Sequence, residues 1–290
     1  MDIYSMAAII IMVATLAMGS LKRFSLTLVL IIGNLLVFFL EVFGPAFTIE
    51  SELGFRPIYL QTGQDLYTLF TSMFVHASAM HLLANMLFLF FFGWPLEERV
   101  GKVKFFVVYL AAGIIGGLFE GMVLWGESTI IIGASGAISG LVGALFILYP
   151  REKLTLPLFI IILPNIPVWA ATLAFFAVQM LFVLGIGGEG VAVTAHLAGF
   201  VVGMAIGINL PKFSRQQRIA KVNAEGLRPL ANTPELRSVL EKIEGETQAD
   251  VKKAWLEHFA ARAKCPECGS AFVLKGDSLR SECGYEVRLK

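Results

Sequence analysis

The sequence predicts an all-α polytopic membrane protein with a small water-facing tail, and three observations carry that reading. First, 57% of the 290 residues are hydrophobic, against roughly 45–50% in an ordinary soluble domain, and the mean hydropathy is +0.75. Second, the long apolar runs are confined to residues 1–210, whereas 211–290 are rich in Lys, Arg and Glu. Third, the basic residues between the runs fall almost entirely on alternate connections. A net charge of +1 gives no reason to propose a nucleic-acid partner.

A spanning helix needs about 20 mostly apolar residues. Seven runs qualify, near 4–21, 25–44, 79–95, 105–125, 134–150, 165–185 and 192–210. The first carries Asp2 and no basic residue at its amino end, which argues against a cleaved signal peptide and for an extra helix over residues 1–23. Residues 45–66 form a long connection whose Phe47, Leu53, Phe55, Ile58, Tyr59 and Leu60 are suited to dipping into the outer leaflet. Between the fifth and sixth runs, Pro157, Pro164 and Pro167 interrupt helix. They imply a membrane-hugging connection over 154–164 and a helix starting near 165.

Orientation follows from the short loops. Lys22, Arg23, Arg99, Lys102, Lys104, Arg151, Lys153, Lys212, Arg215, Arg218 and Lys221 lie on one side, and only Arg56 on the other. That bias puts the carboxyl tail in the cytoplasm and the 45–66 and 126–133 loops outside.

Polar groups inside membrane helices are costly and mark function. Three of the four histidines, His76, His81 and His196, sit in or beside the runs, all towards the external side. His81 and Asn85 are four apart, on one helical face. The fifth helix is entered through Gly133-Ala134-Ser135-Gly136, placing Ser135 at a helix amino end, where unpaired N–H groups and a partial positive charge suit a developing oxyanion. Ala195, Gly199, Gly203 and Gly207 make a small-residue stripe on the last helix, and Gly136 and Gly140 a pair on the fifth. Stripes of this kind let membrane helices pack backbone to backbone. Facing one another, they bring Ser135 and His196 to one depth, a nucleophile and its general base. His81, Asn85 and Gly133 then stand around the oxyanion, and His76 reads as structural support. Glu120, near an outer helix end, reads as a solvated interfacial acid. Three histidines also suggest zinc, but no carboxylate joins them at H-E-x-x-H spacing.

Taken together, His76, His81 and Asn85, Gly133-Ala134-Ser135-Gly136 and Ala195-His196-Leu197-Ala198-Gly199 resemble the rhomboid family of intramembrane serine proteases. The resemblance implies a six-helix core over 24–210 and a Ser135–His196 dyad assisted by His81 and Asn85. It also implies transmembrane proteins as substrates and no cofactor for catalysis, in a multi-pass protein of the cell membrane with its active site towards the external face. Where the family often has Trp-Arg this chain has Tyr67-Thr68, and Ser139 stands where an aromatic residue often supports the histidine. Phe200 is one candidate substitute for that support. The rival readings are a non-proteolytic rhomboid-like protein that binds membrane clients, which would dispense with the serine or histidine, and a transporter, whose polar site belongs nearer the midplane.

Residues 211–263 read as a basic juxtamembrane run suited to anionic headgroups, then a polar helix capped by Thr233 with Pro234 at its first position. Residues 264–290 resemble a zinc-ribbon hairpin with Cys265, Cys268 and Cys283, but Arg280 stands where the fourth cysteine belongs. Structural zinc is four-coordinate. The sequence therefore leaves open a structural zinc completed by a distant group such as His258, or a hairpin without metal.

Overall fold

A computed structural model describes residues 1–21, 23–45, 47–158, 161–183, 192–210, 224–246, 249–275 and 278–289. The chain forms two compact units, Met1–Lys212 and Phe213–Lys290.

The first unit is a helical bundle. Its long helices are α1 (Ile3–Ser20), α2 (Leu26–Phe43), α6 (Ala79–Phe88) continuing through a π-turn into α7 (Trp94–Val100), α8 (Lys102–Val123), α9 (Ser135–Leu148), α10 (Val168–Val183) and α11 (Val193–Ile208). Among the described residues, four helical stretches are long and apolar enough to cross a membrane, namely Ile3–Ser20, Leu26–Phe43, Ala79–Val100 and Lys102–Val123; shorter apolar helices cover Ser135–Leu148, Val168–Met180 and Val193–Ile208. Large apolar side chains such as Ile10, Phe43, Leu173, Val201 and Ile208 are more than half exposed. On helices this apolar, such a surface suits lipid rather than water. The π-turn over Leu89–Gly93 precedes Pro95, which lacks an N–H and whose ring crowds the carbonyl one turn back. The wider turn lets the helix pass the proline without breaking.

At one end of the bundle, the buried Glu97 ties α7 to the start of α2. It accepts the Ser25 hydroxyl at 2.7 Å, the Leu26 N–H at 2.8 Å, and both the N–H and hydroxyl of Thr27 at 2.8 and 2.7 Å. A carboxylate thus satisfies the orphan donors of a helix amino end, where its charge is also favoured.

Three expectations need correction. The fold is mostly helical rather than all-α, because β1 (Lys153–Leu158) pairs antiparallel with β2 (Ile161–Pro167), with Leu154 opposite Ile166. The prolines that exclude helix leave an extended apolar run, and pairing satisfies its backbone. The sixth helix accordingly starts at Val168, after Pro167. Second, Leu53 and Phe55 face inward, fully buried, rather than into lipid. Phe55 pairs with Ile131 through reciprocal N–H···O bonds of 3.1 and 2.8 Å, and short helices α3 (Thr48–Leu53), α4 (Tyr59–Thr62) and α5 (Thr68–Thr71) order the rest of the long connection. Third, the polar helix expected from Pro234 to about 263 is, among the described residues, two helices, Pro234–Gly245 and Ala249–Arg262. Gly245, poor in helix propensity, ends the first.

The second unit has its own core of Leu227, Leu236, Ile243, Leu256, Phe259 and Leu279, among others. Thr233 caps Pro234–Gly245 by accepting the Leu236 N–H at 3.2 Å. A three-stranded antiparallel sheet, β3 (Val273–Lys275), β4 (Ser278–Arg280) and β5 (Glu286–Arg288), follows. The basic run at 211–223, with Lys212, Arg215, Arg218 and Lys221, and Lys22 before it, lie outside the described residues.

Candidate active site

The two small-residue stripes meet. A Cβ added to Gly199 would collide with the Gly136 carbonyl, and one added to Gly203 with the Gly140 carbonyl. α9 and α11 therefore touch along their backbones, which only glycine permits. At the end of this seam where both helices begin, His196 Nε2 lies 2.5 Å from Ser135 Oγ. Neither side chain could be placed so by its own helix alone. The serine begins α9 and the histidine lies in the first turn of α11, so close docking of the two helix starts sets the distance. With the ring proton on Nδ1, Nε2 accepts the serine O–H. His196 is 6% exposed.

Gly133 leads into this site in a conformation reserved for glycine, φ +114°, with its N–H donated to Ser72 C=O at 2.9 Å. A Cβ there would fall 2.7 Å from His81 Nε2 and 3.8 Å from Ser135 Oγ. The missing side chain thus leaves open the gap between an imidazole N and the nucleophile. A cavity of ≈30 Å³ reaches Ser135 beside it, lined by Ser72, Phe55, Gly133 and Ala192 among others. That is room for a water molecule or two.

The remaining sequence candidates sit close by, in different states. His81 is near the start of α6, whose Ser78 cap accepts its N–H at 3.1 Å. Asn85, one turn on, donates its Nδ2 to His81 C=O at 2.9 Å, so its amide is bonded to its own helix rather than aimed at Ser135. His76 is buried edge-on to His81, ring centroids 5.1 Å apart. Its N–H donates to Glu41 Oε1 at 3.4 Å. The Ser139 side chain is fully buried, and Phe200 packs its ring on Phe176 and Phe146, 5.0 and 6.0 Å between centroids.

Glu120 is the residue that sequence reasoning misplaced. It is buried, not solvated, and its Oε2 accepts the Ala195 N–H at 2.9 Å. No local signal distinguishes it, because the bonded partner lies 75 residues away.

In the tail, Cys265, Cys268 and Cys283 bring their sulfurs within 4.8 Å of one another. His258, the candidate fourth ligand, is not among them and instead contacts Arg262, Nδ1 to Nη1 at 3.0 Å.

A half-buried serine and a buried histidine meeting at the ends of apolar helices define a multi-pass membrane protein with the groups for acyl-transfer chemistry. Comparison with known proteins agrees: residues 63–213 match the Rhomboid domain, about half of the chain, and the protein belongs to the rhomboid family. Among its relatives, RHOMBOID-like protein 1 of Arabidopsis thaliana is 33% identical over 170 residues, 57% of this chain and 40% of that protein. The rhomboid protease GlpG of Haemophilus influenzae is 26% identical over 168 residues, 55% and 82% of the two chains. A putative rhomboid protease, YdcA, of Bacillus subtilis is 34% identical over 143 residues, 49% and 66%. The matched region thus spans less than half of the plant relative's length and more of the bacterial ones.

Proposed function

We propose that this protein is an intramembrane serine endopeptidase that cleaves transmembrane segments of membrane proteins through a Ser135–His196 dyad. The carrying observation is the 2.5 Å approach of His196 Nε2 to Ser135 Oγ, at a helix amino end and beside a small cavity. In this reading six helices, α2 to α11 with the short ones excepted, form the protease core and α1 is an addition to it. The basic-residue bias puts the site on the external side of the cell membrane and the tail in the cytoplasm.

The chemistry follows from the positions. His196 takes the Ser135 proton as the oxygen attacks the scissile carbonyl, then returns it to the leaving amine. The tetrahedral oxyanion faces the Ser135 N–H, an unpaired donor of the first helical turn, and the gap left by Gly133 beside His81. Asn85 joins once its amide rotates from the His81 carbonyl. The cavity supplies room for the water that releases the acyl group.

The tail supports one further reading, a structural zinc on Cys265, Cys268 and Cys283. Zinc–sulfur bonds of about 2.3 Å in a tetrahedron put sulfurs about 3.8 Å apart, and Cys265 and Cys283 already lie at 3.6 Å. Zinc there would tie the knuckle to the hairpin, with a non-cysteine donor in fourth place. One zinc per chain in purified protein, lost in Cys283→Ser, is the expected result, and metal-free wild type refutes it.

The protease reading is tested by purifying wild type, Ser135→Ala and His196→Ala and offering each a transmembrane reporter. Cleavage by wild type alone is expected, with a fluorophosphonate labelling Ser135. Cleavage that persists in Ser135→Ala, or that a chelator abolishes, overturns it. A folded wild type that binds the reporter without cutting it points instead to a client-binding protein.

A further inference from the structure

We propose that Glu120 is a positioning residue for the dyad, a carboxylate supplied by α8 that caps α11 from outside and thereby sets where His196 stands. This rests on the dyad reading above but on different observations. An α-helix begins with unpaired N–H groups, ordinarily met by a side chain at the cap. α11 begins after Ala192, which makes no side-chain cap bond and has no polar side chain to make one with. The helix that carries the general base therefore starts without a side-chain cap of its own at Ala192.

The missing acceptor comes from α8. Glu120 Oε2 takes the N–H of Ala195 at 2.9 Å in a buried setting, the third residue of α11 and the one before His196. One turn earlier on the same face of α8, Gly116 lets the helix approach the other side of that peptide. A Cβ on Gly116 would fall 2.7 Å from the Ala195 carbonyl oxygen. That carbonyl belongs to the peptide bond leading into His196. α8 thus holds the residue before the histidine by its N–H through Glu120 and by its C=O through contact at Gly116.

A charged acceptor has two advantages here. Its bond is stronger than a neutral one, and negative charge is favoured at a helix amino end. Removing it leaves a buried N–H without a partner at the one point where α11 must not shift. Displacements of about 1 Å in a reacting group can cost about 100-fold in rate. The loss therefore belongs in the catalytic step and not in substrate binding, since Glu120 faces α11 and is itself buried.

The test compares wild type, Glu120→Ala, Glu120→Gln and Glu120→Asp in purified full-length protein, with kcat and KM for a transmembrane reporter and amide hydrogen exchange over 193–197. Glu120→Ala is expected to lower kcat about 10- to 100-fold, change KM less than about twofold, and speed exchange at 193–197. Glu120→Gln, which keeps an acceptor at the same reach, should recover kcat to within about threefold of wild type. Should Glu120→Ala fail to purify, Glu120→Asp carries the comparison, its carboxylate drawn back by one methylene, with a loss between the other two. Wild-type kcat and exchange in Glu120→Ala overturn the proposal, as does a loss confined to KM or a Glu120→Gln as impaired as Glu120→Ala. If instead Ser135→Ala still cleaves, the dyad reading fails, while the exchange measurement still reports whether Glu120 anchors α11.

Discussion

Replacing Gly133 by alanine tests the proposed oxyanion gap with a single carbon. Two costs follow from the structure. The residue's φ of +114° is one that side-chain-bearing residues rarely adopt, and holding such a conformation costs about 1–3 kcal/mol. The new Cβ would also stand 2.7 Å from His81 Nε2, well inside van der Waals contact, so the imidazole must move away from Ser135 or the loop must retreat. Either movement removes a donor or closes the space for the substrate oxygen. Loss of one oxyanion donor is worth about 2.7–4 kcal/mol, or about 100- to 1,000-fold in rate. The His196–Ser135 contact is untouched, so fluorophosphonate labelling should fall less than peptide cleavage does. The assay is initial-rate cleavage of a transmembrane reporter in detergent and in bilayers, with thermal unfolding in parallel. Cleavage within about threefold of wild type by a folded Gly133→Ala would show that this gap is not where the oxyanion forms.

Three other perturbations have defined outcomes. Gly203→Leu should drive α9 and α11 apart, since its side chain would enter the Gly140 backbone; a lower unfolding temperature and lost cleavage are expected together. Glu97→Ala removes the acceptor of four bonds and should destabilise by about 1–3 kcal/mol for each buried donor left unpaired, read in a denaturation titration. Thr233→Ala, in the tail, should cost the second unit about 1 kcal/mol and leave reporter cleavage unchanged.

Much of this was legible in the sequence because bilayer physics leaves few alternatives. Helices must be long and apolar, which located the seven runs, and a serine and a histidine among them stood out as expensive. The glycine spacing also announced which faces meet, since no other residue allows the Gly203–Gly140 approach. What stayed hidden depended on partners remote in sequence. Phe55 looked like a lipid-facing residue until its bridge to Ile131 became visible. Glu120 looked interfacial because an acid near a helix end has that as its usual environment. Its bond from the Ala195 N–H, across the bundle, helps offset that burial. The strand pair over 153–158 and 161–167 was marked by its prolines, which exclude helix without specifying what replaces it.

These remote contacts share a logic. Among the described residues no carboxylate bonds the His196 imidazole and no ring packs on it, Phe200 lying against Phe176 and Phe146, so the histidine is held by other means. Backbone anchoring fills that place. The seam fixes α11 against α9 by steric contact, which resists compression but not sliding along the glycine track. A directional bond at one end blocks the slide, and Glu120 on Ala195 is such a bond. Glu97 does the same for α2 at the opposite end. In both cases a buried carboxylate from one helix satisfies the amino end of another, so charge sits where helix dipoles favour it and where smooth apolar surfaces alone would leave register unset.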